Sequence, residues 1–168
     1  MNQTQKWIHW ITSNNESERQ SATLALGGLS CDADVDIPSL IDALGSENDD
    51  VVFWCVGALG SLGERSINAV AKIIKLTDSN NLGVRQASIY ALSRINKNSA
   101  ELNNVFVKKL SDSSEFVVCD ALSALARMNT VGSAEIDAIK FCLTSKSEHV
   151  AFQAEVALRN IMLNSGNA

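Results

Sequence analysis

Apolar residues recur along this chain at the spacing of one helix face. Val51, Cys55, Ala58, Leu59 and Leu62 fall at i, i+4, i+7, i+8 and i+11, the rhythm of a 3.6-residue turn rather than of a strand. The same set returns every 33 residues. Ala-Leu stands at 25–26, 58–59, 91–92, 124–125 and 157–158. Three residues before each Ala is a small side chain: Ala22, Cys55, Ser88, Ala121 or Ala154. Four residues earlier the column reads Glu18, Val51, Val84, Val117, Val150, and three residues beyond each Leu come Leu29, Leu62, Ile95, Met128 and Ile161. A shorter apolar segment precedes each set: Trp7–Ile11, Leu40–Leu44, Val70–Leu76, Val105–Leu110 and Ile136–Leu143. The pattern therefore predicts five hairpins, each an A helix, a polar turn and a B helix. Leu76 falls one place out of register, which predicts an extra residue in the second inter-helix loop.

Ser13, Ser46, Ser79, Asp112 and Ser145 also lie 33 apart, and each carries an oxygen able to cap a helix N-terminus. Three residues on stand Glu16, Asp49, Leu82, Glu115 and Glu148, so three of the five read as capping boxes. A hairpin of this size cannot bury its apolar face alone, and its neighbours must stack on it. The expected fold is all-α: a right-handed α-α superhelix, or α-solenoid, of five repeats in a single domain spanning 1–168. The repeats run approximately over 5–31, 38–64, 69–97, 103–130 and 135–163.

The B-helix segments Val84-Arg85-Gln86-Ala87-Ser88-Ile89-Tyr90-Ala91-Leu92 and Cys55-Val56-Gly57-Ala58-Leu59-Gly60-Ser61-Leu62-Gly63 resemble the HEAT-like pattern Val-Arg-x-x-Ala-x-x-Ala-Leu-Gly-x-Leu-Gly. Arg19 and Arg85 occupy the arginine position, whereas Val52, Val118 and Ala151 depart from it. The chain is similar to the HEAT-repeat, armadillo-type solenoids in their short, bacterial-style form. That resemblance implies an interaction scaffold, since such proteins are mostly that, with minorities among bilin lyases and DNA glycosylases. It brings no catalytic residue set and no cofactor with it. The Thr-Pro-Leu-His of ankyrin repeats is absent, and the one proline is Pro38.

Fourteen Lys and Arg against nineteen Asp and Glu give a net charge of -5, which argues against a general nucleic-acid binder. From Gln20 to Glu64 there is no basic residue but eight acids; from Arg85 onward nine bases accompany eight acids. An acidic N-terminal half would steer a basic partner toward itself. The N-terminus lacks the apolar stretch of a secretory leader, and no segment is long enough to span a bilayer, so a cytoplasmic protein without membrane association is expected. Cys31, Cys55, Cys119 and Cys142 are too widely spaced for a zinc site or a disulfide framework.

Motifs of known chemistry are missing. Gly57-x-x-Gly60-x-x-Gly63 is neither a dinucleotide fingerprint nor a P-loop, and it reads as the closing of a helix. Asp32-Ala-Asp34-Val-Asp36 begins like a calcium loop, but Ile37 and Ala43 stand where an EF-hand needs Gly and Glu. His9 and His149 are read as structural or surface residues, and Cys119 as an inert or weakly exposed thiol on the side away from the buried stripe. No metal, cofactor or enzymatic activity is expected.

The B helices of such stacks line a concave surface suited to binding. Opposite the buried stripe the columns read Gln20, Phe53, Gln86, Cys119, Phe152 and Leu24, Gly57, Tyr90, Ser123, Val156. Aromatic and arginine side chains are favoured interface anchors. The expected partner-binding residues are therefore Phe53, Trp54, Tyr90, Arg94, Arg127 and Phe152, with Trp54 divided between packing and binding. Trp7 and Trp10 are expected to close the first end of the stack. The expected function is non-enzymatic binding of another protein, a basic one by the charge of the N-terminal half, by a monomer or weak dimer. An inhibitor or immunity-type protein covering a basic toxin or enzyme is the narrower version, and a bilin lyase-like or glycosylase-like enzyme is the rival.

Overall fold

The computed structural model describes residues 1–165. Among them are ten α-helices and no strand: α1 (Gln3–Trp10), α2 (Glu16–Gly27), α3 (Ile37–Ala43), α4 (Asp49–Ser61), α5 (Val70–Leu76), α6 (Leu82–Ile95), α7 (Ala100–Lys109), α8 (Glu115–Leu125), α9 (Ser133–Cys142) and α10 (Glu148–Ser165). A 3-10 stretch, Gly63–Ala69, joins α4 to α5 and begins at Gly63, whose φ of 59° suits glycine alone. The helices pair as five A–B hairpins, as the periodicity predicts. They fall into two compact units, Met1–Ile95 with three hairpins and the segment from Asn96 with two.

The small-residue column is buried without exception: Ala22, Cys55, Ser88, Ala121 and Ala154 each have 0% exposure. Ser88 is tolerated there because its hydroxyl donates to the Val84 carbonyl at 2.7 Å. Around this column the first unit packs Leu26, Leu40, Leu59, Ile73, Ile89 and Leu92, and the second packs Leu102, Phe106, Leu122, Leu125 and Ile139. Burying a side chain of this size contributes roughly 1.5–3 kcal/mol, so these columns are the main source of stability in either unit.

The cap column is a correction. Ser13, Ser46, Ser79, Asp112 and Ser145 do not cap the B helices. Each side-chain oxygen instead accepts the backbone N–H two residues on, from Asn15, Asn48, Asn81, Ser114 and Ser147, at 2.9–3.2 Å. These are side-chain turns that bend the chain between A and B helices. The N-terminal oxygens of the B helices stand two residues later: Asn15 accepts from Ser17, Asn48 from Asp50 and Val51, and Asn81 from Val84. The acids Glu16, Asp49, Glu115 and Glu148 consequently sit at the first helical position, where they suit the positive helix end but form no capping box. Two of them reach the next hairpin. Asp49 accepts from the Asn81 amide at 3.0 Å, and Glu115 from the Ser147 hydroxyl at 2.7 Å.

The extra residue expected beside Leu76 is also absent. The residue ending each A helix is Ile11, Leu44, Thr77, Leu110 or Leu143, 33 apart throughout. Thr77 takes the apolar position of the third hairpin, 2% exposed, and its hydroxyl donates to the Ile74 carbonyl at 2.7 Å. Arg19 and Arg85 bend back to the turn before their own helix, donating to the carbonyl oxygens of Ser13 and Ser79 at 2.6 and 3.0 Å.

Candidate interaction surface

In the first unit, positions opposite the buried stripe of α2, α4 and α6 form a surface of mixed relief. Leu24 on α2 is 77% exposed, Tyr90 on α6 is 43% exposed, and Gly57 occupies the equivalent position on α4 between them. One turn before Gly57, Phe53 is 37% exposed and meets Trp54 edge-on, with ring centroids 5.2 Å apart. A Cβ built on Gly57 would touch nothing within 4 Å, so this position opens to solvent and no neighbour requires a glycine there.

Around Gly57 the side chains are held rather than loose. The Arg94 guanidinium lies 5.5 Å from the Tyr90 ring centroid, and its Nε donates to the Gly60 carbonyl at 3.2 Å. The ring thereby gains a cation–π neighbour on the same helix, and the arginine is anchored to α4. Trp54 is half-buried against Gly27 at the end of α2, where a Cβ would come within 3.0 Å of the indole. Its packing role is thus plain, and its free edge also lines a groove with Glu16, Gln20 and Asp50.

Phe152 and Arg127 belong to the second unit. Phe152 is 62% exposed on α10, and Arg127 is exposed beside Lys97 and Asn129. Cys119 occupies the same column as Phe53 and Phe152 but is buried, and burial, with the nearby Asp120 and Glu115 carboxylates, pushes its thiol above the ordinary range. Burial pushes Cys55 up to about 12 and raises Cys142 as well. Thiolates form reluctantly at all three. His9 and His149 are both exposed, and Trp7 and Trp10 are half-buried, with the Lys6 ammonium 4.4 Å from the Trp10 ring.

The aspartates that imitate a calcium loop have other uses. Asp32 accepts from Ser30, and Asp36 caps α3, accepting from the Ser39 hydroxyl at 2.8 Å and from the Asn2 amide. Those bonds, the Ser39 hydroxyl first, hold the Asp36 carboxyl below its usual range. Among the described residues no three His, Cys, Asp or Glu side chains could together hold a metal ion, and no helix is long and apolar enough to cross a membrane.

Leu24 and Gly57 were missed as candidates. Their column is visible in the sequence, but attention to aromatic anchors favours Tyr90 alone. Only the structure shows that α2 leaves Leu24 uncovered.

No curated protein sequence matches the chain. Among solved structures it is similar to the complex of CpcE and CpcF of phycocyanin lyase from Nostoc sp. PCC7120, at 15% identity and TM-score 0.75, over 92% of this chain and 96% of that one. A designed armadillo-repeat protein in complex with the peptide (KR)4 is similar at 18% identity and TM-score 0.65, over 92% and 80% of the two chains. An engineered protein is similar at 23% identity and TM-score 0.64, over 96% and 80%. At such identities the likeness is one of fold, that of an all-helical repeat solenoid. The model of HEAT repeats matches residues 4–93, more than half of the chain, and with the stacked hairpins and their 33-residue columns this places the protein in the HEAT-repeat family.

Proposed function

We propose that the protein is a non-enzymatic binding module whose partner is another protein, docked on the α2/α4/α6 face around Gly57. The observation that carries this reading is Gly57 itself. A glycine inside a helix costs roughly 0.5–1 kcal/mol relative to alanine, and here no packing contact requires it. What the missing side chain preserves is open backbone on a face that also carries the exposed Leu24, Phe53 and Tyr90, accessible to a side chain or backbone from outside. Exposed apolar residues sharing one face with an arginine have the composition of an interface core rather than of ordinary surface.

A basic partner is favoured by the sequence from Gln20 to Glu64, which holds eight acids and no Lys or Arg. That a designed armadillo-repeat protein of similar fold holds the peptide (KR)4 is in keeping with this preference. An inhibitor or immunity-type role is the narrower form of the same proposal. In the second unit Phe152 and Arg127 are the candidate contacts.

The experiment is parallel capture from native lysate on immobilised wild-type and Gly57→Leu chains, at low and high salt, read by mass spectrometry. Leucine covers the open backbone at this position and meets no packed neighbour, so folding stays intact and the partner disappears from the variant column. Phe53→Ala with Tyr90→Ala should lose the same protein at nearly unchanged Tm. Identical captured sets on wild-type and both variants sink the proposal. A partner eluted by salt assigns the contact to charge; one retained assigns it to the apolar face around Gly57.

A further inference from the structure

The outer side of α10 breaks two columns of the repeat. Glu155 and Arg159 stand 33 residues after Leu122 and Ala126, on columns that elsewhere hold Val56 and Ile89, and Gly60 and Ser93. Those internal residues are all buried, whereas Glu155 and Arg159 are exposed. In the first unit the second column is where one B helix meets the next. Gly27 lies under the Trp54 ring and Gly60 against Ala91, and added Cβ atoms would come within 3.0 and 2.8 Å of them. An arginine at this position leaves no room for a further hairpin stacked in the same register.

Beside these charges the surface is nonetheless apolar. Leu143, Met162 and Leu163 are 38%, 66% and 61% exposed, and with Leu158, Glu155 and Arg159 they line a shallow groove of ≈ 500 Å³. One period earlier Leu125, the equivalent of Leu158, is fully buried. This face therefore keeps the leucines of a stacking surface and carries a charge pair that forbids the usual stacking.

The charges specify what does fit. They have opposite signs, stand one helical turn apart, and among the described residues neither forms an ion pair. Such a pair is self-complementary. A two-fold axis crossing α10 between them sets Glu155 of each copy against Arg159 of the other and lays the two leucine–methionine ridges together, the geometry of an isologous interface. We infer that this groove is a homodimer interface, with the second copy's α10 running antiparallel across the first. A different protein would have to present both signs in reversed order along an apolar ridge; a second copy does so by symmetry.

The test is light scattering and sedimentation of the full chain over a range of concentrations. The wild-type chain passes from monomer to dimer as concentration rises. Arg159→Glu and Glu155→Arg each place like charges opposite one another and weaken the dimer at least about tenfold, with unchanged helical circular dichroism because both positions are exposed. Mixing the two variants restores complementary signs and yields a heterodimer. A chain that stays monomeric throughout, a dimer that Arg159→Glu leaves intact, or a mixture that remains monomeric would each overturn the inference.

Discussion

Two glycines three residues apart on α4 point only about 60° apart around the same helix and yet have opposite meanings. Gly60 faces α6, where any side chain would collide with the Ala91 backbone; Gly57 faces outward, where a side chain would meet nothing. One is required by packing, the other only by whatever approaches from outside. Close helix contact thus stabilises the stack at one position, while its neighbour one turn away is kept vacant at a cost in helix propensity. Composition treats the two residues as the same, and only the direction of the missing Cβ separates them.

Substitutions at these positions test that contrast most strongly. Gly60→Leu should destabilise the first unit by about 1–3 kcal/mol through overpacking, measured by urea denaturation, because backbone rather than a flexible side-chain tip blocks it. Gly57→Ala should act in the opposite direction, raising stability by about 0.5–1 kcal/mol in the same assay. If both glycines responded alike, the distinction between the two positions would be lost. Arg94→Met sharpens it from the side. Loss of the bond to the Gly60 carbonyl should cost about 0.5–1.5 kcal/mol, since methionine keeps the stem but donates nothing.

Thiol chemistry separates inside from outside in a milder way. Cys31 is exposed, whereas Cys55, Cys119 and Cys142 are buried with thiols raised by burial. A thiol reagent at neutral pH should modify Cys31 promptly and the others only as the protein opens, as mass spectrometry of partially labelled chain would show. Fast labelling of Cys119 would move that column back to the surface. The smallest effect belongs to Asp36. Its carboxyl is lowered in the folded chain, so its contribution is complete above the ordinary carboxylate range and is lost as pH falls through the lowered value. Amide exchange at the start of α3 should accelerate only in acid, and Asp36→Asn should flatten that dependence.

The B helices were legible because burial and periodicity coincide there: the five residues from Ala22 to Ala154 are fully covered, and each is small for the same reason. The turns were half legible. Ser13-x-Asn15, Ser46-x-Asn48 and Ser79-x-Asn81 place two cap-type residues two apart, and an oxygen reaching an N–H two positions on serves a turn as readily as a helix end. The sequence shows both columns without ranking them. Thr77 escaped notice because a polar residue reads as loop until its hydroxyl is seen bonded within its own turn. For the surface, periodicity gives the direction of a side chain but not its depth. Phe53 and Cys119 share a column, yet one is exposed and the other covered.

The serine-type turns carry a further consequence, for how such a chain can change length. Each turn depends only on an oxygen and the N–H two residues beyond it, and the five turns are interchangeable. Excising residues 47–79 would leave Ser46 two places before Asn81, remaking the junction that Ser79 makes now. An excision one residue longer or shorter would bring the wrong N–H to that oxygen and turn every apolar column of the following helix by about 100°. The unit of permissible insertion and loss is therefore the whole period, written into the junctions and independent of what the intervening helices bind.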